Sequence, residues 1–212
     1  MTTSVLHVVG ARPNFPKAAP VLSALDALDV PQILVHTGQH YDDRMSDAFF
    51  RELNLPRPDV NLAVGSGSHA RQTAGIMVGL EDVLLEARPR LVIVYGDVNS
   101  TIAAAVVAAK LHIPIAHVEA GLRSFDRKMP EEINRILTDQ ISDLLFTTSP
   151  EAVDNLTLEG ISFERVHFVG NTMIDTLAKV LDSLDPAAVR VRLGLPDDYI
   201  LATLHRPSNV DD

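Results

Sequence analysis

The chain has 212 residues, 46% of them hydrophobic and 22% charged, with a formal net charge of −10 and no cysteine. This is the composition of a globular protein of one large domain, or one domain and part of another, and the missing thiols exclude disulfides, thiolate metal sites and cysteine nucleophiles. The acidity argues against a nucleic-acid binder, which needs clustered Lys and Arg, and no apolar run is arranged to span a bilayer or to form a signal peptide.

Apolar strands and helices alternate along the chain. VLHVVG (5–10) reads as a buried strand, and a helix follows over 15–28. QILVHTG (32–38) is a second strand closing on glycine. Over 72–88, Ile76, Leu80, Val83, Leu84 and Ala87 recur at helical spacing until Pro89 intervenes. RLVIVYGD (90–97) is a strand apolar throughout, as expected where both faces are covered. The alanine-rich TIAAAVVAAKLH (101–112) predicts a helix able to lie close to a sheet, and PIAHVEAG (114–121) a strand. Pro130 opens a helix whose buried stripe is expected from Ile133, Ile136, Leu137 and Ile141. DLLFTTS (143–149) is another strand. Ser149, Pro150 and Glu151 start a helix that Gly160 ends, and RVHFVGN (165–171) closes the series.

The alternation predicts an α/β fold with a doubly wound parallel sheet over 1–170. From 171 to 212 a helix (174–184), an amphipathic stretch and a strand at YILATLH (199–205) follow. A segment of about 40 residues cannot bury its own core. The expectation is therefore a linker and the start of an incomplete second domain.

Doubly wound sheets bind ligands beyond the carboxyl ends of their strands, and the polar clusters fall at those ends. GARPNFPK (10–17) joins the first strand to the first helix, with Arg12 and Lys17 beside the helix N-terminus. It suits a diphosphate, or it is a plain turn carrying a solvated arginine; it has neither the Walker A nor the GxGxxG pattern. Asp97, in GDVNST, is poorly placed for a core and well placed for a crevice, whereas Asn99 or Ser100 reads as the cap of the next helix. Glu119, in HVEAGLR, points into the crevice or pairs with Arg123. Glu131 and Glu132 sit in a first helical turn, where carboxylates usually serve the helix dipole and less often do chemistry. His36, His40, His117 and His205 have no metal-ligand spacing, so no metal is expected.

Taken together and in order, GARPNFPKAAPV, HTGQHYD, GDVNSTIAAA, HVEAGLRSFD, MPEEINRILTDQISDLLFTTS, VGNTMIDTL and TLHRPSN resemble the signature of the non-hydrolysing UDP-N-acetylglucosamine 2-epimerase family. The resemblance implies a GT-B architecture of two Rossmann-like domains with the active site between them. The family interconverts UDP-N-acetylglucosamine and UDP-N-acetylmannosamine by anti elimination of UDP to a 2-acetamidoglucal and re-addition. By similarity Asp97, Glu119, Glu131 and His205 are the acid–base groups. Arg12, Lys17, Arg123, Arg135 and Arg206 would hold the substrate or support the carboxylates. Gln39, His40 and Gln72 match a neighbouring regulatory site for UDP-N-acetylglucosamine. Where many members read GTRPE this chain has Ala11 and Asn14, and Pro207 and Ser208 follow Arg206 where arginine and glutamate are common.

The resemblance further implies a cytoplasmic homodimer serving polysaccharide precursor synthesis, with no cofactor and no nucleic-acid or membrane partner. The 212-residue chain alone is expected to be nearly inactive without the rest of its second domain. Three alternatives stay open: epimerisation of a related UDP-amino sugar, glycosyl transfer on a GT-B fold, and a non-catalytic sugar-nucleotide binding fragment.

Overall fold

The computed structural model describes residues 4–38, 53–181 and 184–203. In chain order it contains β1 (Val5–Val9), α1 (Asn14–Asp26), β2 (Gln32–His36), β3 (Val60–Asn61), α2 (His69–Ala87) and β4 (Leu91–Tyr95). Then come α3 (Asn99–Lys110), β5 (Ile115–Ala120), α4 (Pro130–Ile141), β6 (Leu144–Thr147), α5 (Pro150–Leu158) and β7 (Val166–Phe168). The strands form one parallel sheet in the order β3-β2-β1-β4-β5-β6-β7. This is the expected Rossmann-like doubly wound fold. The order reverses between β1 and β4, the place beyond whose strand ends doubly wound sheets bind ligands.

Two large cores flank the sheet, and a smaller cluster of Ala120, Leu145, Leu156, Ile161 and Val166 lies against α5. On one face Leu6, Val8, Val35, Val92 and Val94 meet Leu80 and Leu84 of α2 and the alanines of α3. On the other, Val5, Val9, Ile93, Tyr95, Ala116 and Val118 meet Phe15, Ala18 and Leu22 of α1. Both faces of β4 are therefore covered, which explains its unbroken apolar run. Helix α2 begins at His69 rather than 72 because the Ser68 hydroxyl accepts the Arg71 amide. Ser149 caps α5 by accepting from Ala152, as its sequence indicates.

Three expectations fail for identifiable reasons. The stripe of α4 is not buried: Ile133, Leu137 and Ile141 are 39%, 49% and 36% exposed, while Glu132, Thr138 and Asp139 face inward. The inner side of this helix lies against α3 and β5, where Asp139 meets His117 and Glu132 takes the amides of the loop after β5. Asn99 and Ser100 do not cap α3, whose N-cap is Val98 with no side-chain bond. The Asn99 amide instead donates to Gln72 Oε1 at 2.8 Å, and Ser100 Oγ lies 2.8 Å from Thr37 Oγ1. Residues 199–203 are not a strand; Ile200 and Leu201 are 96% and 81% exposed. No strand lies beside them among the described residues, and unpaired backbone has no ladder to join.

The chain divides into two compact units, Met1–Ala178 and Lys179–Asp212. Helix α6 (Thr172–Leu181) begins within the first unit, where Thr176 Oγ1 donates to the Pro16 carbonyl at 2.6 Å. In the second unit the described residues hold α7 (Pro186–Leu193), capped by Asp185.

One core group makes the first unit acid-sensitive. His7 is fully buried, with Nδ1 2.7 Å from Tyr95 Oη. Burial lowers its pKa from 6.5 to about 4, against a small opposing effect of the Gln32 side chain. The unfolded chain takes up this proton first, so stability is full above pH 6.5 and falls as pH drops toward 4. At pH 5 the loss from this group is about 2 kcal/mol relative to pH 7. Urea denaturation at the two pH values measures it; equal midpoints, or the same loss in His7→Gln, would contradict the assignment.

Candidate functional site

The turn after β1 is shaped by Asn14, the first residue of α1. Its Oδ1 accepts from the amides of Gly10 and Ala11 at 3.0 and 3.1 Å, and its Nδ2 donates to the Tyr95 carbonyl at 2.8 Å. The turn is thereby stapled to the end of β4, and these two amides face Asn14 rather than an anion. Gly10 is required by close approach: a Cβ there would lie 2.0 Å from Ser100 Oγ and 2.4 Å from Thr37 Oγ1. Arg12 stands exposed in the turn. Lys17, one turn into α1, is buried and points across the sheet.

Its target is Glu119. Lys17 Nζ lies 2.5 Å from Glu119 Oε1, with both side chains mostly buried. The pair crosses the end of β4 directly over Gly96, whose φ is +63° and whose added Cβ would sit 2.8 Å from Lys17 Nζ. Glu119 itself is an extra residue in β5: the register against β6 shifts between Val118 and Ala120, and Glu119 has φ +74°. A glutamate in left-handed backbone costs about 1–3 kcal/mol and persists only where its surroundings impose it. The bulge aims this carboxylate at the strand end.

Asp97 follows Gly96. Its Oδ2 receives Arg135 Nη2 at 2.5 Å, and its carbonyl receives Asn134 Nδ2 at 2.8 Å. Both donors come from α4, so this helix is tied to the end of β4. Glu131 lies one turn before Arg135, half-buried, on the stretch of α4 that reaches Asp97. Glu132 is buried and fully engaged: it accepts from the amides of Ser124 and Phe125 at 3.0 and 2.9 Å and from Arg135 Nη1 at 3.0 Å. Burial opposes its ionisation, but the two amides and Arg135 outweigh it and hold its pKa below the usual value. Glu132 thus clamps the loop after β5.

Arg123 does not join Glu119. Its guanidinium, 1% exposed, is bound to Asp139 Oδ2 at 2.7 Å and to both oxygens of Glu159 at 2.7 and 2.6 Å. Gln72 is buried on α2 and linked through Asn99 to the same polar layer as Asn134. Gln39, His40, His205 and Arg206 lie outside the described residues.

Sequence reading missed the buried pair beneath the carboxylates. His117 Nδ1 is 2.7 Å from Asp139 Oδ1, its Nε2 is 2.8 Å from the Gly96 carbonyl, and both side chains are inaccessible to solvent. Burial disfavours the Asp139 anion, yet His117 and Arg123 hold its pKa below the usual value. The available signal was the recurrence of Glu132, Arg135 and Asp139 at i, i+3 and i+7, a polar helix face requiring a polar partner.

The carboxyl ends of β4 and β5 therefore carry two carboxylates, each with its own cation, with a third on the neighbouring helix. Such a set can remove and return protons beside a polar substrate. Among the described residues no cluster of metal-ligating side chains occurs, and no helix is long and apolar enough to cross a membrane.

Comparison with known proteins gives a consistent picture. The family model described as UDP-N-acetylglucosamine 2-epimerase matches residues 24–212. A UDP-2,3-diacetamido-2,3-dideoxy-D-glucuronate 2-epimerase of Pseudomonas aeruginosa is 48% identical over 98% of this chain and 59% of its own. A UDP-N-acetylglucosamine 2-epimerase of Methanocaldococcus jannaschii is 47% identical over 97% of this chain and 57% of its own. A crystal structure of M. jannaschii UDP-GlcNAc 2-epimerase in complex with UDP-GlcNAc and UDP superposes with a TM-score of 0.92 at 44% identity, covering 99% of this chain and 58% of that one. The chain thus spans less than two thirds of the length of these relatives.

Proposed function

The chain belongs to the UDP-N-acetylglucosamine 2-epimerase family, and from that premise we propose that the whole protein inverts C2 of a UDP-linked 2-acetamido sugar, UDP-N-acetylglucosamine in the first instance. The observation that carries this reading is the pair Asp97 and Glu119, which flank Gly96 on neighbouring strand ends with Arg135 and Lys17 as separate counter-ions.

The C2 hydrogen is not adjacent to a carbonyl, so it becomes acidic only as the C1–O bond to UDP breaks. A carboxylate takes the C2 proton, the electron pair forms the C1=C2 double bond, and UDP departs with the C1–O electrons. UDP then re-adds at C1 as a proton returns to C2 from the opposite face. Two faces require more than one acid–base group. In this reading Asp97, Glu119 and Glu131 share that work with His205. Arg12 and Arg206 stabilise the charge accumulating on the diphosphate. A second Rossmann-like domain completes the cleft in a GT-B arrangement. Gln39, His40 and Gln72 hold a second UDP-N-acetylglucosamine, and the protein works as a cytoplasmic homodimer in polysaccharide precursor synthesis.

Incubating the full-length protein with UDP-N-acetylglucosamine in deuterium oxide should place deuterium at C2 and yield the manno epimer, read by proton NMR. Absence of exchange from every UDP-2-acetamido sugar tried would reject the reading. The similarity to the Pseudomonas relative favours one variant, a UDP-diacetamido uronic acid as preferred substrate. A higher kcat/KM for that sugar nucleotide would establish it.

A further inference from the structure

We propose that His117 and Asp139 are positioning residues for this reaction, a buried strut that fixes Asp97, Glu119 and helix α4 relative to one another; this rests on the epimerase reading. From Nε2 the His117 ring holds the Gly96 carbonyl, the peptide unit that leads into Asp97, at 2.8 Å. From Nδ1 it holds Asp139, whose other oxygen receives the Gly121 amide at 3.1 Å, two residues beyond Glu119. Asp139 lies one turn beyond Arg135, the partner of Asp97. The pair therefore fastens the backbone before one carboxylate, the backbone after the other, and the helix that carries the third.

Packing alone does not account for such a pair. Well-packed apolar side chains of similar volume would fill the space at equal or lower free energy, because a buried carboxylate and its imidazole partner forfeit their hydration. Apart from the Arg123 guanidinium on Asp139 Oδ2, the outward bonds of His117 and Asp139 end on backbone groups that flank the two strand-end carboxylates. The left-handed backbone of Glu119 lies between the two anchored points, where a bulge would otherwise relax. Displacement of a reacting group by about 1 Å costs on the order of 10²-fold in rate, so a strut of this kind acts on turnover more than on binding.

The test uses the full-length protein and C2 exchange in deuterium oxide. His117→Asn can still reach Asp139 but not the Gly96 carbonyl, while the longer amide of His117→Gln can reach that carbonyl. His117→Asn is expected to lower kcat about 10²-fold, leave KM for UDP-N-acetylglucosamine within about twofold, and raise the kinetic isotope effect on a C2-deuterated substrate. His117→Gln should recover kcat to within about tenfold of the wild type. Asp139→Asn, nearly isosteric, presents a donor either to the His117 ring or to the Gly121 amide and Arg123, and should show the same loss of kcat should His117→Asn fold poorly. Folded variants with kcat within about threefold of the wild type and an unchanged isotope effect overturn the proposal and leave the epimerase reading standing. A wild-type protein without C2 exchange overturns the epimerase reading itself.

Discussion

In the full-length protein, Glu119→Gln is expected to slow deuterium incorporation at C2 by about 10³-fold while the protein remains folded. Glutamine keeps an oxygen within reach of Lys17 Nζ, now 2.5 Å from Glu119 Oε1, but it cannot take a proton. Its side chain has nearly the same volume, so the bulge in β5 and the close pass over Gly96 are undisturbed. The cost in stability arises from leaving a mostly buried ammonium beside a neutral partner, about 1–3 kcal/mol. Thermal melting and exchange kinetics on the same sample separate the two effects. Exchange within about tenfold of the wild type would remove Glu119 from the acid–base set.

The largest effect on stability is expected from Gly121→Ala. At φ +80° the backbone already disfavours any side chain, and the added Cβ would meet the Ala152 carbonyl oxygen at 2.4 Å. That oxygen belongs to the first turn of α5, and the Gly121 carbonyl is itself bound by Asn155 Nδ2 at 2.9 Å. Neither backbone can yield without opening the other's contacts. A loss of about 3 kcal/mol or more is expected in urea denaturation. Gly160 supplies the control: it has the same φ of +80° but nothing within 4 Å of its added Cβ. Gly160→Ala should cost about 1 kcal/mol, the backbone part alone. Equal losses for the two variants would mean that the Ala152 contact carries no weight.

Six of the seven strands were legible because they are short, mostly apolar and bounded by glycine or polar clusters, whereas the two-residue β3 (Val60–Asn61) carries no such run. A run such as Leu91–Tyr95 has no amphipathic alternative. The positions of Asp97 and Glu119 were legible for a related reason: a carboxylate directly after such a run lies outside the core, at the strand end. What the carboxylates touch was not legible. Lys17 reads as a cation beside a diphosphate, yet it crosses three strands' ends to meet Glu119, a partner 102 positions away. Arg123, four positions beyond Glu119, turns instead toward Asp139 and Glu159. Local order predicts contact along a helix face, but not across the carboxyl ends of a parallel sheet. Helix α4 was misread because apolar periodicity is taken to mark the inner face. Here the inner face lies against α3 and β5 and must supply Glu132, Arg135 and Asp139. Asn99 misled in a similar way, since a polar residue opening a helix is usually a cap and here reaches for Gln72 and Asn134.

The extra residue in β5 also bears on how such sequences can drift in length. His117 and Gly121 are fixed from outside the strand, one by a carbonyl on β4 and one by a carboxylate on α4, so the spacing between them is set by neighbours that do not move with it. Deleting one residue in this interval would straighten the strand and turn the glutamate to the opposite side of the sheet, away from Lys17. An alignment gap placed there would mark a protein in which this carboxylate no longer faces the Lys17 ammonium.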